Sequence, residues 1–154
     1  MGSRRRARQF ALQAMYQADL MDMSAMASLN HLWSGHLDGE GLDDDSTPDS
    51  EEVEFAQRLV QGAIDDMPAL DTLIEECSTN WRLPRMPLVD RNILRLAAFE
   101  LKHCKDIPAN VSVNEAVELA KQYGTADSRA FVNGIVDRMG RQLGRLDPER
   151  RRKK

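Results

Sequence analysis

The sequence predicts an all-α protein. Apolar residues recur at three-four spacing along most of the 154 residues, and alternation of the kind a half-buried strand needs is nowhere sustained. Aromatics make up only 5% of the chain while alanine, leucine and methionine are plentiful, a composition that suits helix. Motifs that open helices and residues that close them then divide the chain into about seven segments.

The first helix is expected over residues 4–21. At 100° per residue Ala7, Ala11, Ala14, Met15 and Ala18 share one side, a small-residue stripe that admits a close neighbour. Arg6, Gln9, Gln13, Tyr16, Gln17 and Leu20 face the other way, with Arg5 at the edge. Arg4, Arg5, Arg6 and Arg8 crowd the positive end of the helix dipole, where cations are mildly unfavourable. Helix stability does not explain them. Together with Tyr16 and the glutamines they have the chemistry of a phosphate-binding arm that stacks and hydrogen-bonds unpaired bases; a frayed, solvated basic start is the plainer alternative.

Ser24 is placed to cap a second helix with Met26, Leu29 and Trp33 inward, ending near Gly35 and His36. Residues 38–54 hold nine acids and no base, and read as a solvated loop. Those nine sit within a net charge of −4, which leaves +5 for the rest, so the acidic balance does not exclude a nucleic-acid partner. Asp49 and Glu52 form a capping box for a third helix with Val53, Ala56, Val60, Ala63 and Met67 on one face. Pro68 reads as a break before a short helix over 69–78, with Leu70, Leu73, Ile74 and Cys77 inward and Glu75 and Glu76 exposed. Pro84 and Pro87 predict an extended link over 81–87.

Residues 88–104 are apolar all round (Val89, Ile93, Leu94, Leu96, Ala97, Ala98, Phe99, Leu101), which marks a central helix surrounded by others and holding the two halves together. Ser112 with Glu115 reads as a capping box for a sixth helix lined by Val113, Ala116, Val117 and Ala120, closed by Gly124 where positive φ is usual. The last helix runs to about Leu143 with Val132, Ile135, Val136 and Met139 inward; Gly134 in its middle implies a backbone close by. The basic residues 147–154 are expected to be a disordered tail, and 1–146 one domain with halves 4–67 and 69–144.

Catalytic signatures are missing: there is no glycine-rich phosphate loop, HExxH or GxSxG, and His31, His36 and His103 are dispersed. Cys77 and Cys104 are isolated and read as buried reduced thiols. Neither metal nor cofactor is expected, and no apolar run approaches the roughly 18 residues of a membrane span, so a cytoplasmic protein is expected.

Three stretches carry a resemblance. RRRARQFALQAMYQ, VDRNILRLAAFEL and VSVNEAVELAKQYGTADSRAFVNGIVDRM resemble the NusB family of bacterial transcription antitermination factors, from Arg4 to about Gly140. The resemblance implies two stacked small helical bundles and a non-enzymatic role: binding the single-stranded boxA element of nascent, mainly ribosomal RNA together with the ribosomal protein NusE, within the RNA polymerase antitermination complex. Carried onto this sequence, the RNA contacts fall on Arg4, Arg5, Arg6, Arg8, Gln9, Gln13 and Tyr16, and also on Asp127, Arg129 and Phe131. A carboxylate beside phosphate opposes binding, so Asp127 has a competing role as N-cap of the last helix.

An acidic surface including Asp65, Asp66, Glu75 and Glu76 is the expected dock for a basic ribosomal partner. Three rivals stand beside this reading. They are the front domain of a ribosomal RNA cytosine methyltransferase, a DNA-binding helix-turn-helix over 114–138 led by Ser128, Arg129 and Asn133, and an adaptor that binds only protein. Monomer and homodimer both remain open.

Overall fold

The computed structural model describes residues 3–37, 48–79 and 81–146. It contains seven α-helices and one 3-10 turn, with no strand among the described residues. They fall into two compact units, Met1–Asp65 and Asp66–Lys154. The expected basic tail, and residues 38–47 of the expected acidic loop, lie outside the described residues.

In the first unit α1 (Ser3–Met21) packs against α2 (Ala25–Leu37) and α3 (Ser50–Asp65). Ala7, Ala11, Ala14 and Met15 are buried as the spacing predicts, but the buried arc is wider and also takes in Arg8, Phe10 and Leu12. The helix ends where Asp22 turns into the left-handed region at φ 52° and the Met23 N–H reaches back to the Ala18 carbonyl at 3.2 Å, a closure usually built on glycine. Ser24 then caps α2, its Oγ accepting from the Ala27 N–H at 3.3 Å. Phe10 meets Trp33 edge to face, with ring centroids 4.8 Å apart.

The Asp49–Glu52 capping box is present in reciprocal form: the Glu52 N–H donates to Asp49 Oδ1 at 2.8 Å and the Asp49 N–H to Glu52 Oε1 at 2.9 Å. The acidic run is therefore not loop throughout, because its last residues begin α3 and Glu52 is buried there. The core face of α3 takes Ala56, Val60 and Ala63 from the expected stripe and adds Phe55 and Leu59, while Val53 is only half-buried and Met67 belongs to the next helix.

In the second unit α5 (Leu88–His103) packs against α4 (Met67–Cys77), α6 (Ala109–Tyr123) and α7 (Ser128–Gln142). Ile93, Leu94, Ala98 and Leu101 are fully buried in it, and so is Asn92. The Arg95 guanidinium grips Asp71 of α4 with two hydrogen bonds, Nε at 2.9 Å and Nη2 at 3.1 Å. At the far end of α5, Arg145 donates to the carbonyls of Leu101 and Ile107, both at 2.7 Å, tying down the chain after α7.

Five local expectations need correction. The break read at Pro68 falls at Asp66, between the end of α3 and the start of α4, and Pro68 itself stands in the first turn of α4, where a missing N–H is harmless. The 81–87 link is not extended throughout, since Leu83–Arg85 makes a 3-10 turn that buries Leu83 and Met86. Ser112 is no cap: α6 starts three residues earlier behind Pro108, and the Ser112 hydroxyl instead donates to Glu100 Oε1 at 2.8 Å inside the core. Gly124 closes α6 but with φ −91°, so the left-handed region is not what demands glycine; a Cβ there would meet Ser128 Oγ at 2.4 Å and the Ala120 carbonyl oxygen at 2.8 Å. Gly134, expected to admit a backbone, has nothing nearer to a Cβ than Arg138 Nη2 at 3.7 Å.

Candidate nucleic-acid interface

The four arginines at the start of α1 are not a frayed arm. Arg4 lies over the Phe55 ring with its guanidinium carbon 4.5 Å from the centroid, and Arg8 over the same ring at 5.2 Å. Arg6 lies over Phe10 at 5.3 Å and pairs with Glu52, Nη1 to Oε1, at 3.5 Å. Two aromatic faces and a buried carboxylate thus offset the repulsion of cations at a helix N-terminus. Glu52 serves both the capping box of α3 and Arg6 of α1, so one side chain fixes the start of one helix to the start of another.

That anchoring sorts the cluster. Arg4 and Arg5 are exposed, Arg6 is half-buried, and Arg8 is only 4% exposed. The expectation that all four reach outward therefore does not hold for Arg8, whose guanidinium is spent on Phe55. Gln9, Gln13 and Tyr16 are half-buried along α1, short of the fully wet face expected of them. A hollow of about 340 Å³ opens beside the cluster, lined by Arg4, Glu51, Glu54, Phe55 and Arg58.

Asp127, Arg129 and Phe131 belong to the second unit, at the start of α7. Asp127 and Arg129 are exposed and Phe131 is half-buried. Asp127 stands at the N-cap with helical φ and ψ and makes no side-chain cap, so that role is not filled by its carboxylate. Ser128 does the local work: its buried Oγ accepts from the Thr125 N–H at 2.9 Å. Behind it lies Asp90, 4% exposed, with Oδ1 lacking a hydrogen-bond partner. Burial pushes the Asp90 carboxyl above the ordinary carboxylate range, and a hydrogen bond with Ser128 pulls it partly back.

Glu75 and Glu76, expected on a partner-docking surface, are exposed but engaged within the unit. Glu75 Oε2 accepts from the Leu83 N–H at 3.0 Å and Glu76 Oε1 from Gln142 Nε2 at 2.8 Å. Asp66 is likewise occupied, by Lys102 Nζ at 2.7 Å and His103 Nε2 at 2.8 Å; the His103 and Lys102 hydrogen bonds hold its carboxyl below the usual range.

Comparison with known proteins settles the family. The model of the NusB family matches residues 5–141. The chain belongs to the NusB family. Among NusB relatives, the transcription antitermination protein NusB of Myxococcus xanthus is 45% identical over 145 residues, 94% of this chain and 99% of that one. The solved structure of NusB from T. maritima superposes with a TM-score of 0.77 at 36% identity, covering 98% of this chain and 97% of the other. At 24% identity the same fold appears, TM-score 0.77, in a crystal structure of the antitermination factors NusB and NusE in complex with dsRNA, over 92% of this chain and 98% of that one.

Sequence reading singles out the arginine cluster at the start of α1. What it misses is the support: Phe10, Glu52 and Phe55. The signal was available, since 52, 55, 56, 59, 60 and 63 form a better helical stripe than 53, 56, 60, 63 and 67.

Proposed function

We propose that this chain is a transcription antitermination factor that acts by binding rather than by catalysis. In the cytoplasm it holds the boxA element of nascent, mainly ribosomal RNA together with the ribosomal protein NusE, and so supports RNA polymerase through terminators. The family match over residues 5–141 carries the reading. The geometry supports it with a preorganised cation pair: Arg4 and Arg5 are exposed at the head of a helix whose inner arginines are locked on Phe55, Phe10 and Glu52. Fixing the arm in advance lowers the ordering cost of binding. Tyr16, Gln9 and Gln13 extend the face along α1, and Arg129 and Phe131 are the proposed contacts of the second unit.

Fluorescence anisotropy of labelled single-stranded boxA RNA across a salt series, with and without NusE, tests this. Single-strand binding that NusE tightens is the expected result, with affinity falling as salt rises. Duplex RNA and duplex DNA of the same sequence are the comparison arms. A preference for duplex DNA would overturn the reading in favour of the helix-turn-helix, and NusE binding without any RNA binding would leave a protein-only adaptor.

A further inference from the structure

The stretch between α4 and α5 holds up an aromatic ring that the fold does not use. Trp81 is 50% exposed, although indole is among the side chains that gain most from burial. The backbone that carries it is held by Ser78, whose Oγ donates to the Trp81 carbonyl at 2.8 Å. A cleft of about 140 Å³ runs from Trp81 to α7, where Phe131, Gly134 and Arg138 line it. A second hollow, of about 410 Å³, shares Trp81, Ser78 and Thr79 and ends on Arg82.

Gly134 is the second observation. Mid-helix glycine costs roughly 1 kcal/mol against alanine, and nothing inside the protein requires it, since a Cβ there would make only an ordinary contact with Arg138. Its missing side chain keeps the cleft open. The helix is weakened for the sake of space that the fold leaves unfilled.

We infer that this cleft seats one unpaired base of the RNA strand, stacked on the Trp81 indole with its edge toward the Thr79 hydroxyl. The inference rests on the RNA-binding reading above and adds a contact to it. The lining favours a nucleotide over a protein side chain. The cleft combines an aromatic face and a hydroxyl with the cation Arg138, whose Nη1 also donates to the Cys77 carbonyl, and no acid among the described residues lines it; Arg82 adds a second cation in the adjoining hollow, where Glu75 has its Oε2 engaged by the Leu83 N–H. An aromatic platform beside guanidinium groups is how single strands are held without regard to sequence.

The test uses the full chain carrying Trp33→Phe, so that Trp81 is the sole tryptophan, and short single-stranded boxA RNA as probe. Quenching of Trp81 fluorescence should saturate together with the anisotropy of the labelled RNA. Trp81→Ala, and separately Gly134→Leu, which fills the cleft from the helix side, should each weaken binding about tenfold. Neither should change the salt slope, because no phosphate contact is lost. Melting temperature monitors the fold, and Gly134→Leu still reads the cleft where Trp81→Ala disturbs the link. Full affinity in both variants with no quenching would overturn the inference and leave the RNA reading intact. Quenching by NusE but not by RNA would overturn it in favour of a protein dock. Absence of RNA binding by the parent would remove both readings.

Discussion

Ser112 of α6 and Glu100 of α5 are joined side chain to side chain at 2.8 Å, and both are buried. A carboxylate removed from water needs such donors, which is why a serine stands inside a helix where its propensity is poor. Ser112→Ala is expected to cost about 1–3 kcal/mol in urea titration, by leaving an acceptor short of a partner. Adding Glu100→Gln should recover part of that loss. A double-mutant cycle with no coupling would show that the pair is incidental.

The two perturbed carboxyls make opposite pH predictions. Asp90 has a raised value, so between the ordinary carboxylate range and that value the folded state holds a proton the unfolded chain lacks. Stability attributable to Asp90 therefore falls as pH rises through that window, and Asp90→Asn should stabilise the protein at neutral pH. Asp66 has a lowered value, so its contribution is full above the ordinary range and is lost as pH falls toward the lowered one. Asp66→Asn should destabilise at neutral pH and flatten the acid limb. Denaturant midpoints of both variants across pH 3–8 check the signs.

Separating the arginines is a test of the arm's construction. Arg4→Ala with Arg5→Ala should flatten the salt dependence of single-strand binding by about 1.4 units and lower the melting temperature less than Arg8→Ala does, since the Arg4 contact with Phe55 is made from an exposed position. Arg8→Ala should lower stability by about 1–3 kcal/mol, because the guanidinium is buried against Phe55. Equal melting losses for the two variants would contradict the division between outward and inward arginines.

Two glycines should respond in opposite directions to alanine. Gly124→Ala forces a Cβ to within 2.8 Å of the Ala120 carbonyl oxygen and closer still to Ser128, and is expected to destabilise. Gly134→Ala has ordinary room and should stabilise by up to about 1 kcal/mol. Thermal melting distinguishes the two within one pair of variants.

Ile93→Ala or Leu96→Ala should each cost about 2–5 kcal/mol, since Ile93 is fully buried and Leu96 nearly so. A loss under about 1 kcal/mol would mean that α5 relaxes around the cavity.

Much of this architecture was legible. Periodicity placed the helices because an apolar stripe has to face something, and the Ser24 cap and the Asp49–Glu52 box were readable because their side-chain partners lie within four residues. The Ser112 and Glu115 pair fitted the same pattern and failed, since Ser112 found its partner twelve residues back, and a local pattern cannot see that. Gly124 was right as a terminator but for another reason, crowding by Ser128 rather than backbone hand. The arginine cluster was visible as charge, yet the burial of Arg8 depends on Phe55, 47 positions away, and no local rule connects them. Trp81 went unremarked because an aromatic in a proline-flanked link gives no periodic signal.

The locking of Arg4 and Arg8 on Phe55, and of Arg6 on Glu52, bears on how mutant phenotypes are read. A genetic selection for lost RNA binding should recover changes at Phe55 and Glu52 alongside the exposed arginines, although one is a core residue and the other a helix cap. Their alleles would be temperature-sensitive and insensitive to the RNA sequence offered, whereas those at Arg4 and Arg5 would be defective at every permissive temperature.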